Sequence, residues 1–253
     1  MEESAPTSGP DRLTLVLRII LAAVGLTILV VAGWVGYAYV DSPAAIRHPQ
    51  ATHYHFRLQI INGGSPVNFA DAKYQTPFNK DICTAALTKE PIHFHDNLDQ
   101  FVHIHWAGIT GGLLLKNYGW NLIDGPAGAL GYRFDQLPHL TQVAIHGLVL
   151  PAPPKDAQFY IYTGNQDGYQ ERDWNSFLNE DLRDFFAGKK AAIGSHWPLV
   201  PTAWAHGDDE KLTQLNDVLG SVVIFAQKDR PTDQQIKDRF NHLVPLPESS
   251  CGG

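Results

Sequence analysis

The chain has 253 residues and a formal net charge of −7 with neutral histidines, and it holds 12 histidines, two cysteines and a single methionine. About 210 residues follow an N-terminal apolar stretch, enough for one large or two small domains with a sizeable core. The acidic balance and the lack of any basic block exclude a nucleic-acid partner.

Residues 19–40 form a run of 22 residues without a charge. As a helix this run is about 33 Å long, against a hydrocarbon core of about 30 Å. Trp34, Tyr37 and Tyr39 cluster at its end, where aromatic rings favour a membrane–water interface. The apolar part of a signal peptide spans only about 7–15 residues, and no Ala-x-Ala site follows this one. An uncleaved signal anchor is therefore expected, with the lipid bilayer as its partner. Arg12 and Arg18 precede the run, whereas Asp41 and Arg47 are the first charges after it. The positive-inside rule keeps residues 1–18 in the cytoplasm and the rest outside. The expected protein is single-pass in the cell membrane, with an extracytoplasmic C-terminal domain. There Cys83 and Cys251 are expected to form a disulfide in preference to Cys83 serving as a thiolate ligand.

Residues 41–52 contain two prolines and read as a stalk. Over 53–61 the pattern alternates: Tyr54, Phe56, Leu58 and Ile60 are apolar, and His53, His55, Arg57 and Gln59 take the other face. That is a half-buried strand, ended by Asn62-Gly63-Gly64. Strands are predicted over 91–95 and 101–106, then a helical turn or two over 113–120. Further strands are predicted over 130–135, 142–150 and 158–162, with Pro151-Ala152-Pro153-Pro154 as a rigid connection. Apolar residues from Trp174 to Phe186 recur at helical spacing, with Gly188 as the stop. A helix over 209–219 capped by Asp208, a buried strand over 220–227 and a helix over 233–243 capped by Thr232 complete the reading. The tail 245–253 should be irregular. Strands first and helices later predict an α+β fold: a mainly antiparallel sheet or barrel-like domain over 53–244, with helices in its C-terminal half.

Six of the histidines form three His-x-His pairs: His53/His55, His93/His95 and His103/His105. On a strand, side chains two apart share a face. If 91–95 and 101–106 form a hairpin around the loop 96–100, His93 lies opposite His103 and His105 opposite Pro91. Facing Cβ atoms are then about 4.5–5.5 Å apart. Three or four imidazoles so spaced can converge on one ion at about 2.0–2.1 Å from each nitrogen. The expected ligands are His93, His95, His103 and His105, with His53 and His55 extending the same face. Asp96 and Asp99, in the loop, are candidate acceptors for imidazole N–H groups, although Asp-Asn at a loop start also suits a turn. Cu(I) favours thioether and thiolate ligands, and the only methionine is Met1. Cu(II) or Zn(II) is the expected ion. Its affinity should fall as pH drops through the ordinary histidine range near about 6.5.

Gln100-Phe101-Val102-His103-Ile104-His105-Trp106 resembles the strand that supplies two zinc histidines in alpha-type carbonic anhydrases. That family's third histidine, in a downstream motif ending His-Trp, has no counterpart here, because His139 and His146 lack that context. His103-Ile104-His105-Trp106 is similar to the His-Trp-His-Gly copper motif of multicopper oxidases, without their later His-Cys-His motif. Cupins share a His-x-His followed by a carboxylate, but Asp99 stands where Glu is expected and the second cupin motif is missing. Each likeness implies a metal at these histidines, and none assigns a family. No Gly-x-Ser-x-Gly elbow, phosphate loop or dinucleotide fingerprint occurs.

The leading expectation is a membrane-anchored extracytoplasmic protein whose histidine hairpin captures or delivers a metal ion. The alternatives are a metal-dependent hydratase, hydrolase or oxidase using the same histidines, and an accessory subunit of a membrane complex whose histidines are incidental.

Overall fold

The structure is a computed structural model that describes residues 12–41, 44–76, 90–122, 149–188 and 217–247. The chain divides into two compact units, 1–42 and 43–253. In the first, helix α1 covers Arg12–Asp41, longer than the predicted 19–40 because Leu13, Leu15, Val16 and Leu17 continue the apolar run. Its stretch Arg12–Tyr37 is long and apolar enough to cross a membrane.

The second unit opens with the short helix α2 (Ala44–Arg47), whose Ala45 and Ile46 are buried. Strand β1 (Ala51–Asn62) turns at Gly63 and Gly64, both at positive φ, into the two-residue β2 (Ser65–Pro66). Glycine suits that left-handed backbone because it lacks a Cβ. Then come β3 (Ile92–His93), β4 (Phe101–Trp106) and helix α3 (Gly111–Asn117). Thr110 caps α3 by accepting from Leu113 N–H at 3.2 Å. A Cβ on Gly111 would collide with the ring of Phe177, so glycine permits the helices to meet there.

The second half supplies β5 (Gln158–Asn165), β6 (Gly168–Arg172), α4 (Trp174–Asn179), α5 (Leu182–Ala187), β7 (Val218–Gln227) and α6 (Asp233–Asn241). The strands make one sheet in the order β3-β4-β1-β7-β5-β6, with β2 beside β1. Among the described strand pairs, only β1–β7 is parallel. The sheet is therefore mixed but mostly antiparallel, as predicted. It is open, not barrel-like, and α3 precedes the C-terminal half.

Side-chain alternation divides the sheet cleanly. Even-numbered residues of β1 and β4 (Tyr54, Phe56, Leu58, Ile60, Val102, Ile104) are fully buried. Phe186 of α5 packs on Phe56 with ring centroids 5.5 Å apart, and the Arg183 guanidinium lies 4.4 Å over the Tyr54 ring. The odd-numbered face is also covered: Ile61, Tyr162, Val223 and Phe225 form a cluster with Ile236 and Phe240 of α6. Gln59 Nε2 donates to Arg239 O at 2.9 Å. The strand predicted as half-buried is thus buried on both faces, because a helix far along the chain returns to cover its polar side.

Two further expectations are corrected, and one strand went unpredicted. The helix predicted over 174–186 is two helices, since Asp173 and Asp181 each cap a new first turn. Asp181 also accepts from Gly108 N–H at 2.8 Å, a tertiary contact that fixes the break. Strand β6 went unpredicted because Gly168–Arg172 is polar, as befits an edge. Residues 218 and 219, assigned by pattern to a helix, begin β7. Residues 209–216 of that helix, the strand over 130–135 and residues 142–148 lie outside the described residues, as do Cys83 and Cys251.

Candidate metal centre

The histidine face occupies the β3-β4-β1 end of the sheet. The predicted register holds: His93 pairs with His103 between β3 and β4, and His105 N–H donates to Pro91 O at 2.8 Å. On the other side of β4, His103 pairs with His55 of β1. His55, His103 and His93 therefore form one row across three strands. A register irregularity between Ala51 and Tyr54 leaves the His53 ring stacked on His105, with centroids 4.7 Å apart. The His105 ring in turn stacks on His93 at 4.8 Å, and His93 on His103 at 5.1 Å.

All six rings of the three pairs are gathered on the odd-numbered face. His93, His103 and His105 are wholly buried and His55 and His95 nearly so, while His53 is partly exposed. Among the described residues, two groups of three are placed so that they could hold a metal ion: His53, His103 and His105, and His93, His95 and His103. Within each group the ligand nitrogens lie within 4.8 Å of one another. Bonds of about 2.0–2.1 Å to a tetrahedral ion place nitrogens roughly 3.3 Å apart, so modest side-chain rotation closes either group. His55 belongs to neither group. Its Nε2 is 3.0 Å from Nδ1 of His103, a hydrogen bond that leaves His103 presenting Nε2 to the face. Among the described residues, His103 Nε2, His53 Nε2 and both ring nitrogens of His105 have no hydrogen-bond partner.

Burial sets the electrostatics. It holds His103 well below the ordinary histidine pKa, with further lowering from the neighbouring His55, His95, His93 and His105. Burial also lowers His105, to about 3, aided by His53 and His95. His53 is lowered by burial and by His95, with Asp217 opposing. Neutral rings are the form that ligates metal. Proton competition at His103 and His105 therefore begins at lower pH than the free side chain implies, which moves the expected loss of affinity downward.

Asp96 lies where the sequence suggested, with Oδ2 2.7 Å from Nδ1 of His95. It also serves the turn, since Asp96, Asn97 and Gln100 all sit at positive φ. A carboxylate on one ring nitrogen orients the other and strengthens it as a donor. Asp99 faces elsewhere: its carboxylate accepts from Phe69 N–H at 2.8 Å, and burial raises its pKa against that bond. Asp217, near His53, carried no sequence signal because it sits in the turn before β7, remote along the chain from His53 on β1. Gln100 was equally illegible. Its Oε1 accepts from Val244 N–H at 3.2 Å and its Nε2 donates to His242 O at 3.4 Å, which ties the histidine loop to the end of α6. His242 itself contacts Asp238 O through Nδ1 at 2.6 Å, a helix-end role away from the cluster. His139, His146, His196 and His206 lie outside the described residues.

Comparison with protein-family models, with curated proteins and with solved structures gives no match for this chain.

Proposed function

We propose that the chain is a membrane-anchored, extracytoplasmic protein that binds Cu(II) or Zn(II) on its histidine face and captures or delivers the ion. One observation carries the reading: the histidines of three His-x-His pairs, on three adjacent strands and just past the end of β3, supply two three-histidine groups that share His103. Burying imidazole nitrogens without partners costs about 1–3 kcal/mol each, and an ion would offset that cost. Imidazole without thiolate or thioether suits Zn(II) and Cu(II) over Cu(I). The apolar helix α1 would tether the domain beside a membrane-protein complex that gives or takes the ion.

The test is elemental analysis of the full chain in detergent, stripped and then repleted. About one ion per chain is expected, and the His93→Ala/His103→Ala variant, checked for folding by circular dichroism, should lose it. Absence of metal under repletion would sink the reading. Protease added to intact spheroplasts should remove the domain beyond residue 42, and full protection would refute the topology. A second reading is supported by the ligand number, since three histidines with an open fourth position is also a catalytic zinc set. Metal-dependent hydration or hydrolysis that disappears in His93→Ala would favour it.

A further inference from the structure

Resting on the metal-binding reading, we infer that the histidine face holds one ion at a time and passes it between an outer position (His53, His103, His105) and an inner position (His93, His95, His103), with the Nε2 of His103 common to both. The sharing sets the stoichiometry. One nitrogen lone pair bonds one ion, so two ions cannot both have three histidines. The usual escape, an imidazolate bridging two metals through both ring nitrogens, needs Nδ1 of His103, and that atom is engaged by His55 at 3.0 Å.

A neutral imidazole carries one N–H, so His103 ligating through Nε2 keeps its proton on Nδ1 and donates it to His55. His55 is thus a positioning residue that selects the ligating tautomer of His103.

The two positions differ in access and in donor quality. The outer one contains His53, the partly exposed member of the cluster. In the inner one all three residues are at most 1 % exposed, and His95 is backed by the Asp96 carboxylate at 2.7 Å. The outer position therefore receives the ion and the inner position retains it. The path between them is short, because the His105 and His93 rings stack at 4.8 Å. The ion exchanges His53 and His105 for His93 and His95 one ring at a time, while His103 stays bound throughout. No proton or electron is transferred in that exchange.

Co(II), whose visible spectrum reports its ligands, tests this on the full chain in detergent. The expected result is one Co(II) per chain at saturation, with loading in a fast and a slow spectral phase. His53→Ala, at a partly exposed site, should keep the ion but slow its uptake about tenfold. His93→Ala should keep one ion that lacks the slow phase and is stripped by chelator at least about tenfold faster, as loss of an inner ligand implies. Should His93→Ala fail to fold, Asp96→Asn, on an exposed carboxylate, should speed stripping in the same direction. Two ions per chain, or uptake and stripping unchanged by both His53→Ala and Asp96→Asn, would overturn the two-position scheme. No Co(II) bound to the unaltered chain would overturn the metal reading itself.

Discussion

One face of one sheet is built in two ways. Under α6, the β7-β5-β6 end and the tip of β1 bury Ile61, Tyr162, Val223, Phe225, Ile236 and Phe240 against one another. At the β3-β4-β1 end, the same face buries the imidazoles of His55, His93, His95, His103 and His105 at least as deeply. The apolar end gains free energy from every contact, at about 25 cal/mol per Å² of apolar surface buried. The histidine end gives up hydration of ring nitrogens of His103 and His105 that find no partner among the described residues, a cost that the proposed ion would offset. Strand β1 runs through both, with His53 and His55 at one end and Ile61 at the other. If the histidine face binds metal as proposed, stability and metal binding are separated along a single strand, and variants should affect them separately.

The sharpest break should come from Phe225→Ala, at the centre of the apolar end. It should cost about 3–5 kcal/mol by denaturant unfolding, with metal stoichiometry unchanged in the folded fraction. Loss of the ion in a still-folded Phe225→Ala chain would show that the two ends are not separable.

The next largest effect is on pH. His103 and His105 have lowered pKa values in the folded chain, so above about pH 6.5 they are neutral in both states and contribute nothing. As pH falls below that value the unfolded chain takes up protons that the folded face refuses, and stability declines. For His105 the decline continues until pH approaches its folded value of about 3. Between pH 7.5 and 5.5 the metal-free chain should lose roughly 2–3 kcal/mol through this pair. Thermal unfolding at the two pH values measures it, and a flat profile would mean that the rings protonate without penalty.

Asp96→Asn should lower metal affinity about tenfold, towards the mild end of the range for such partners, and leave metal-free stability nearly unchanged, because the carboxylate is substantially exposed. Calorimetric titration with Zn(II) measures the affinity. The smallest effect has the opposite sign: His105→Leu should stabilise the metal-free chain by about 1 kcal/mol, since it replaces a ring with two unpartnered nitrogens by an apolar group. Marked destabilisation would show that His105 is structural.

The strands that carry the site were legible because their signals are local. Period-two alternation put His53 and His55 opposite Tyr54 and Phe56, and the loop 96–100 set His93 against His103. Thr232 likewise marked the start of α6, where the structure adds Gln235 as the other half of a capping box. The break between α4 and α5 was hidden, since the apolar spacing runs through Asp181 and a contact with Gly108 decides it. Closure was left open between sheet and barrel, because the spacing of strands does not say whether the two sheet edges, β3 and β6, will meet.

What the sequence determined by itself was composition and local pairing: an uncharged stretch long enough to form a membrane-crossing helix, and three His-x-His pairs on strand patterns. Periodicity and length are properties of neighbouring residues, and they need no fold to be read. Only the tertiary structure decided that β1 lies antiparallel beside β4 and parallel beside β7, which brings His53 and His55 onto the hairpin's face. It also decided that His55 faces His103 Nδ1, that Asp96 and not Asp99 backs a histidine, and that the polar face is buried. These depend on strand order and on elements distant along the chain, which local patterning does not encode.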